Sequence, residues 1–216
     1  MVKRLGYLLL LLFAFVSYSP NQLRAEEPAS QFLQELRNQR YFELAEYYLD
    51  LQVGKEMLSD EFRAKIDLER AMVILSGARN IANGTERDKK FEEAQTLLER
   101  FSAATEDTDL KIQSNNELGN LLFQRAKLVE FEGDKEENAP RKAEFVTRTR
   151  ELLTKGRDTY VLGRDHLKAE LEAIPKVLDP QTEKDQIERR EALYGEYLQL
   201  VITTSKLLEE IAQTYQ

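Results

Sequence analysis

The sequence offers few groupings of the side chains that do acid, base, nucleophilic or metal chemistry. Cysteine is absent and histidine occurs once, at His166. Thiolate nucleophiles, disulfides, thiolate metal sites and a lipid-modified N-terminal cysteine are therefore excluded, and so is any multi-histidine cluster. His166 stands in Arg164-Asp165-His166-Leu167-Lys168. An imidazole there could act as a general base, but no motif supplies a nucleophile or a second ligand, and the position reads as a surface or partly packed histidine. The run Asp134-Lys135-Glu136-Glu137-Asn138 holds oxygen ligands suited to a hard cation. It lacks the alternating acids and central glycine of a calcium loop, so it reads as a solvated loop. Glu35, Glu43, Glu46 and Asp50 could bring carboxylates together, yet with 39 acids in the chain such groupings arise by chance. Asn83-Gly84-Thr85 matches a glycosylation sequon and equally a plain turn. Gly-rich phosphate loops, nucleophile elbows and metal-binding His-Glu helices are missing. The expectation is a protein that is not an enzyme, with no catalytic, cofactor-binding or metal-binding residues.

Aromatic side chains do cluster. Tyr41, Phe42, Tyr47 and Tyr48 fall on one short segment, where helical spacing would turn two rings into the core and two onto a face. Tyrosines on such a face combine large area with a polar tip and are favoured at protein interfaces. Tyr47, Tyr48, Phe91 and Leu122 are the candidate partner-binding residues, with core packing as the competing role for each.

Placing these residues requires setting the N-terminus aside. Lys3 and Arg4 precede an unbroken apolar run from Leu8 to Val16, and Leu23-Arg24-Ala25 leads into Glu26-Glu27-Pro28. Residues 1–25 read as a signal peptide with a small residue at the cut. The apolar stretch from Leu5 to Val16 is shorter than the roughly 20 residues a spanning helix needs. The expected location is exported, periplasmic or extracellular, with an N-terminal membrane anchor if the leader stays uncleaved and no span once it is removed. Cleavage takes away Lys3, Arg4 and Arg24 and no acid, so 28 basic residues face 39 acidic ones and the net charge moves from −8 to −11. Such a surface repels phosphate backbones. The basic stretch Arg141 to Arg157 is interleaved with Glu144 and Glu151; nucleic acid is not an expected partner.

Beyond the leader no strand-like alternation is sustained, while apolar residues recur at three- and four-residue spacing. The expected fold class is all-α. Helices are expected from Ser30 as N-cap through Leu36; over Tyr41 to Leu51, carrying Tyr41, Leu44, Ala45, Tyr48 and Leu49; and over Asp60 to Ile81, stopping at Asn83-Gly84. Further helices are expected over Asp88 to Ala103, Thr108 to Phe131, Pro140 to Ile174 and Thr182 to the end, with a charged loop over Glu132 to Arg141. The sixth helix carries a seam of Val146, Thr149, Leu153, Gly156, Tyr160, Gly163 and Leu167. A glycine inside a helix costs about 1 kcal/mol relative to alanine, so Gly156 and Gly163 imply a closely approaching neighbour. On the seventh helix a stripe from Leu193 to Tyr215 includes Leu208. Either it packs back on the sixth helix or it awaits the second half of a hairpin.

Tyr41-Phe42-Glu43-Leu44-Ala45 followed by Leu49 repeats as Lys90-Phe91-Glu92-Glu93-Ala94 followed by Leu98, 49 residues on. An aromatic before a small residue and a large apolar residue after it resembles the second helix of a tetratricopeptide hairpin, and Leu118-Gly119 with Leu122 is similar to that family's first helix. The offset exceeds the family's period. The resemblance implies stacked antiparallel helical hairpins in a right-handed superhelix, over residues 26–135, followed by a longer helical hairpin over 136–216 that could begin further repeats. It also implies a non-enzymatic scaffold for a protein or peptide in the cell envelope. The alternative is a structural N-terminal part or stalk of a longer exported repeat protein with no ligand of its own.

Overall fold

The structure, a computed structural model, describes residues 28–53 and 59–215, and among these every regular element is a helix. In chain order they are α1 Pro28–Asn38, α2 Phe42–Val53, α3 Asp60–Ala78, α4 Gly84–Ala104, α5 Thr108–Asp134, α6 Ala139–Ala173 and α7 Lys184–Gln213. Residues 1–25, the expected signal peptide, lie outside the described residues. No described helix is long and apolar enough to cross a membrane.

Local chemistry sets the boundaries, and several differ from the expectation. Ser30 does not cap α1; it is buried inside the helix, which is described from Pro28 onward. Asn83 does not stop a helix but starts one: its Oδ1 accepts from Glu86 N–H at 3.1 Å, so α4 begins at Gly84. α3 accordingly ends at Ala78, short of Ile81. The charged loop shrinks to Lys135–Asn138 because α5 runs on to Asp134 and Asn138 caps α6 through Arg141 N–H at 3.2 Å. Gly133 is thus a helical residue, and a Cβ there would stand 2.7 Å from that of Phe145. Asp107 caps α5 through Leu110 N–H at 3.0 Å, as the acidic run before it suggests. Arg40 ends α1 with φ of 61°, between bonds from its own N–H to Arg37 O and from Tyr41 N–H to Leu36 O.

Each helix packs on the next in the chain, and α1 also meets α3 and α3 meets α5. Neighbours run antiparallel: Gly119 of α5 lies under Tyr160 of α6 while Gly133 meets Phe145. The odd helices are tied to one another by Arg37–Glu69 at 2.6 Å, Arg79–Gln124 at 2.8 Å and Lys127–Glu210 at 2.6 Å. The even helices are tied by Lys90–Glu46 at 3.8 Å, Arg148–Asp88 at 3.7 Å and Lys155–Glu99 at 2.7 Å. The result is a stack in which no hairpin buries its own apolar face and each is completed by its neighbours.

Three core clusters follow this order: Leu33, Leu49 and Phe62 across α1 to α3; Leu68, Phe91, Leu98 and Leu121 across α3 to α5; and Ile112, Leu153, Leu167 and Leu200 across α5 to α7. The division placed between residues 135 and 136 falls between two helices that share the last of these cores. Along the α6 seam Thr149 to Leu167 are buried, whereas Val146 is exposed near the start of the helix. At Gly156 a Cβ would lie 3.6 Å from the Gly119 carbonyl, which is the close approach its place in a helix implies. α7 packs back along α6, burying Leu193, Leu200, Leu207 and Ile211. Leu208 and Tyr215 leave that stripe and are exposed.

Candidate interaction faces

Burial separates the four candidate partner-binding residues. Phe91 is 1% and Leu122 0% exposed, so both are core and present no surface to a partner. The reason is the alanine and glycine near them: Ala94 lets α4 seat Phe91 against α3 and α5, and Gly156 lets α6 close over Leu122. Tyr48 is half-buried, its ring meeting Phe32 edge-on at 4.8 Å between centroids. Tyr47 is 59% exposed.

Tyr47 is accompanied by further exposed apolar residues on the same helix. Leu44 is exposed, as is Leu51; with Tyr47 they fall at i, i+3 and i+7 on one face of α2. The same helix buries Ala45 and Leu49 on its other side. Apolar residues right round a short helix were the available signal, since one apolar stripe suffices for a helix that only packs inward. A second exposed run lies on α7, where Tyr194, Leu198, Ile202 and Leu208 stand out from the buried stripe.

The groups with possible chemistry are dispersed. Asp50 turns to Arg70 at 2.8 Å and Glu46 to Lys90, so neither converges with Glu35 or Glu43. Lys135 lies 3.7 Å over the Phe131 ring and Glu136 is 3.8 Å from Arg141, leaving the short α5–α6 connection occupied with its own contacts. His166 is half-buried on α6. Among the described residues no three His, Asp or Glu side chains gather as metal ligands would. An open cleft of about 780 Å³ between the start of α3 and the α4–α5 connection is lined by charges that answer one another, including Arg100–Asp67 at 2.8 Å and Lys65–Glu61 at 2.9 Å.

The most perturbed polar group lies where α5 meets α6. Tyr160 donates to Asn120 Oδ1 at 2.6 Å, and burial, reinforced by the charge of Glu117, pushes its phenol up to about 12. Burial likewise raises the Glu117 carboxyl above its ordinary range, against the pull of Arg79 and Arg37. A protonated phenol bonded to an amide is a structural joint between the two helices.

No family model and no curated protein matches the sequence. The chain is similar to a solved structure described as "Computational Design of Self-Assembling Cyclic Protein Homooligomers", at 12% identity and TM-score 0.36, over 90% of this chain and 83% of that one.

Proposed function

We propose that the protein is an exported, non-enzymatic scaffold of tetratricopeptide-like helical hairpins that binds a protein or peptide of the cell envelope. The observation that carries this reading is the Leu44–Tyr47–Leu51 face of α2, exposed on a helix whose other side is fully engaged. Large apolar side chains grouped on a surface mark contact sites far more often than single ones do. The basic leader ahead of an apolar run supports export. A chain without cysteine that leaves the cytoplasm relies on stacked helices for its stability, and the layered cores supply that.

The test is photo-crosslinking in the exporting cell. A photoreactive residue in place of Tyr47 should give a dominant protein adduct that is lost when Leu44 is changed to Asp. The same adducts from a reactive residue at Glu93, on the polar side of α4, would contradict the reading. Mass measurement of the mature chain tests cleavage of the leader, with a start at Glu26 expected and an intact Met1 contrary to it.

A further inference from the structure

A pocket of about 210 Å³ lies where the end of α5, the first third of α6 and the last turn of α7 meet. Phe145 and Val146 give it an apolar wall, and Gln213 and Thr214 close it from α7. Arg150 fixes that closure. Its Nε donates to Thr214 Oγ1 at 2.9 Å, a second guanidinium nitrogen donates to the Thr214 carbonyl, and the group lies 3.7 Å from the centre of the Tyr215 ring. Thr149 lines the same pocket and is only 3% exposed, and its hydroxyl has no hydrogen-bond partner.

That hydroxyl departs from the pattern of this chain. Thr159 and Thr204 are also buried on helices, and each donates to the carbonyl four residues back, at 2.9 and 2.7 Å. Thr96, Thr147 and Thr203 do the same at the surface. The bond is open to a threonine inside a helix, yet Thr149 does not make it. A buried donor without a bond is destabilising unless another group completes it. The rim selects no charge: Glu130 is answered by Lys127 at 2.9 Å, and the remaining Lys142 and Asp134 are opposite in sign. Size limits the guest, since an apolar cavity of about 150 Å³ holds benzene. A single substituted ring is therefore of the right scale.

We propose that this pocket binds a small neutral organic molecule, a single ring or a short branched chain, whose acceptor oxygen takes a hydrogen bond from the Thr149 hydroxyl. Its apolar part lies against Phe145 and Val146, and the one polar contact fixes its orientation, the division of labour usual in small-molecule sites. The inference goes beyond the scaffold reading and does not rest on it, because the α2 face takes no part in this pocket.

The experiment uses the full chain, isotopically labelled, and two probes that differ by one carbonyl oxygen, acetophenone and ethylbenzene. Affinity is read from amide chemical-shift titrations. Acetophenone should bind saturably in the millimolar range, as so small a guest allows, with shifts confined to the ends of α5 and α7 and the start of α6. Thr149→Val keeps the shape of the side chain and removes the hydroxyl. It should weaken acetophenone about fivefold, the loss of one neutral hydrogen bond, and leave ethylbenzene unchanged or tighter. Val146→Trp fills the pocket from its wall and should abolish binding of both probes. Circular dichroism confirms that each variant is folded; should either unfold, Thr149→Ala or Val146→Phe takes its place. No saturable binding of acetophenone up to about 20 mM, unchanged acetophenone affinity in Thr149→Val, equal weakening of both probes, or retention of acetophenone by the folded Val146 variant would overturn the proposal. None of these outcomes bears on the Tyr47 crosslink, so the scaffold reading stands or falls separately.

Discussion

The junction of α1 with α3 and that of α5 with α6 join helices by opposite means. At the first, helices of 11 and 19 residues are pinned by Arg37 and Glu69, 2.6 Å apart, with side chains only 12% and 10% exposed. At the second, helices of 27 and 35 residues approach until Gly119 lies beneath the Tyr160 ring and Gly156 beside the Gly119 carbonyl. Short helices have little apolar length to bury and need a directional pair to hold register. Long helices can specify register through shape alone. The first junction should therefore fail by loss of charge and the second by gain of volume.

The largest effect is expected at the first. Arg37→Ala leaves Glu69 buried without its cation and should cost about 3 kcal/mol, read as a drop in urea midpoint with unchanged slope; a loss no larger than that of an exposed pair would show that the junction is held by packing instead. Next comes Gly119→Ala. Its Cβ would stand 2.7 Å from the Tyr160 ring, which is buried and tied to Asn120 and so has little room to move aside. Overpacking should outweigh the gain in helix propensity and destabilise by about 2 kcal/mol, with loss of near-ultraviolet tyrosine dichroism; a more stable variant would refute a seam built on that glycine.

The remaining two effects are smaller. Because burial raises the Glu117 carboxyl in the fold, its protonated form is the better tolerated. Its contribution is fully present below the ordinary carboxyl pKa and is lost as pH rises through the raised value. Glu117→Gln should flatten that decline in melting temperature, and an unaltered profile would assign it elsewhere. Arg40 holds φ of 61° with a side chain that disfavours it; Arg40→Gly should stabilise by about 0.5 kcal/mol, whereas a loss would mean that its side chain contributes more than its backbone costs.

The α5–α6 seam was legible in the sequence and the α1–α3 pin was not. Seven-residue recurrence from Thr149 through Gly156 to Gly163 needs only the helical period to be read. Arg37 and Glu69 are 32 positions apart, and nothing local distinguishes them from the other charges in a chain rich in them. Boundaries went astray where one residue type serves two purposes, as Asn83 does in turns and caps. The interaction faces were half legible for a related reason. Helical spacing says which residues share a face but not which of two apolar faces is covered, so it offers the buried Phe91 and Leu122 to a partner as readily as the exposed Tyr47.

What unites the two junctions is that each binds only near neighbours, and stability in such a stack is a sum of local terms. Native-state hydrogen exchange on Arg37→Ala tests this most directly. The account predicts faster exchange confined to α1, α2 and the adjoining part of α3, with amides of α5 to α7 as protected as in the unaltered chain. A uniform loss of protection across all the helices would contradict it.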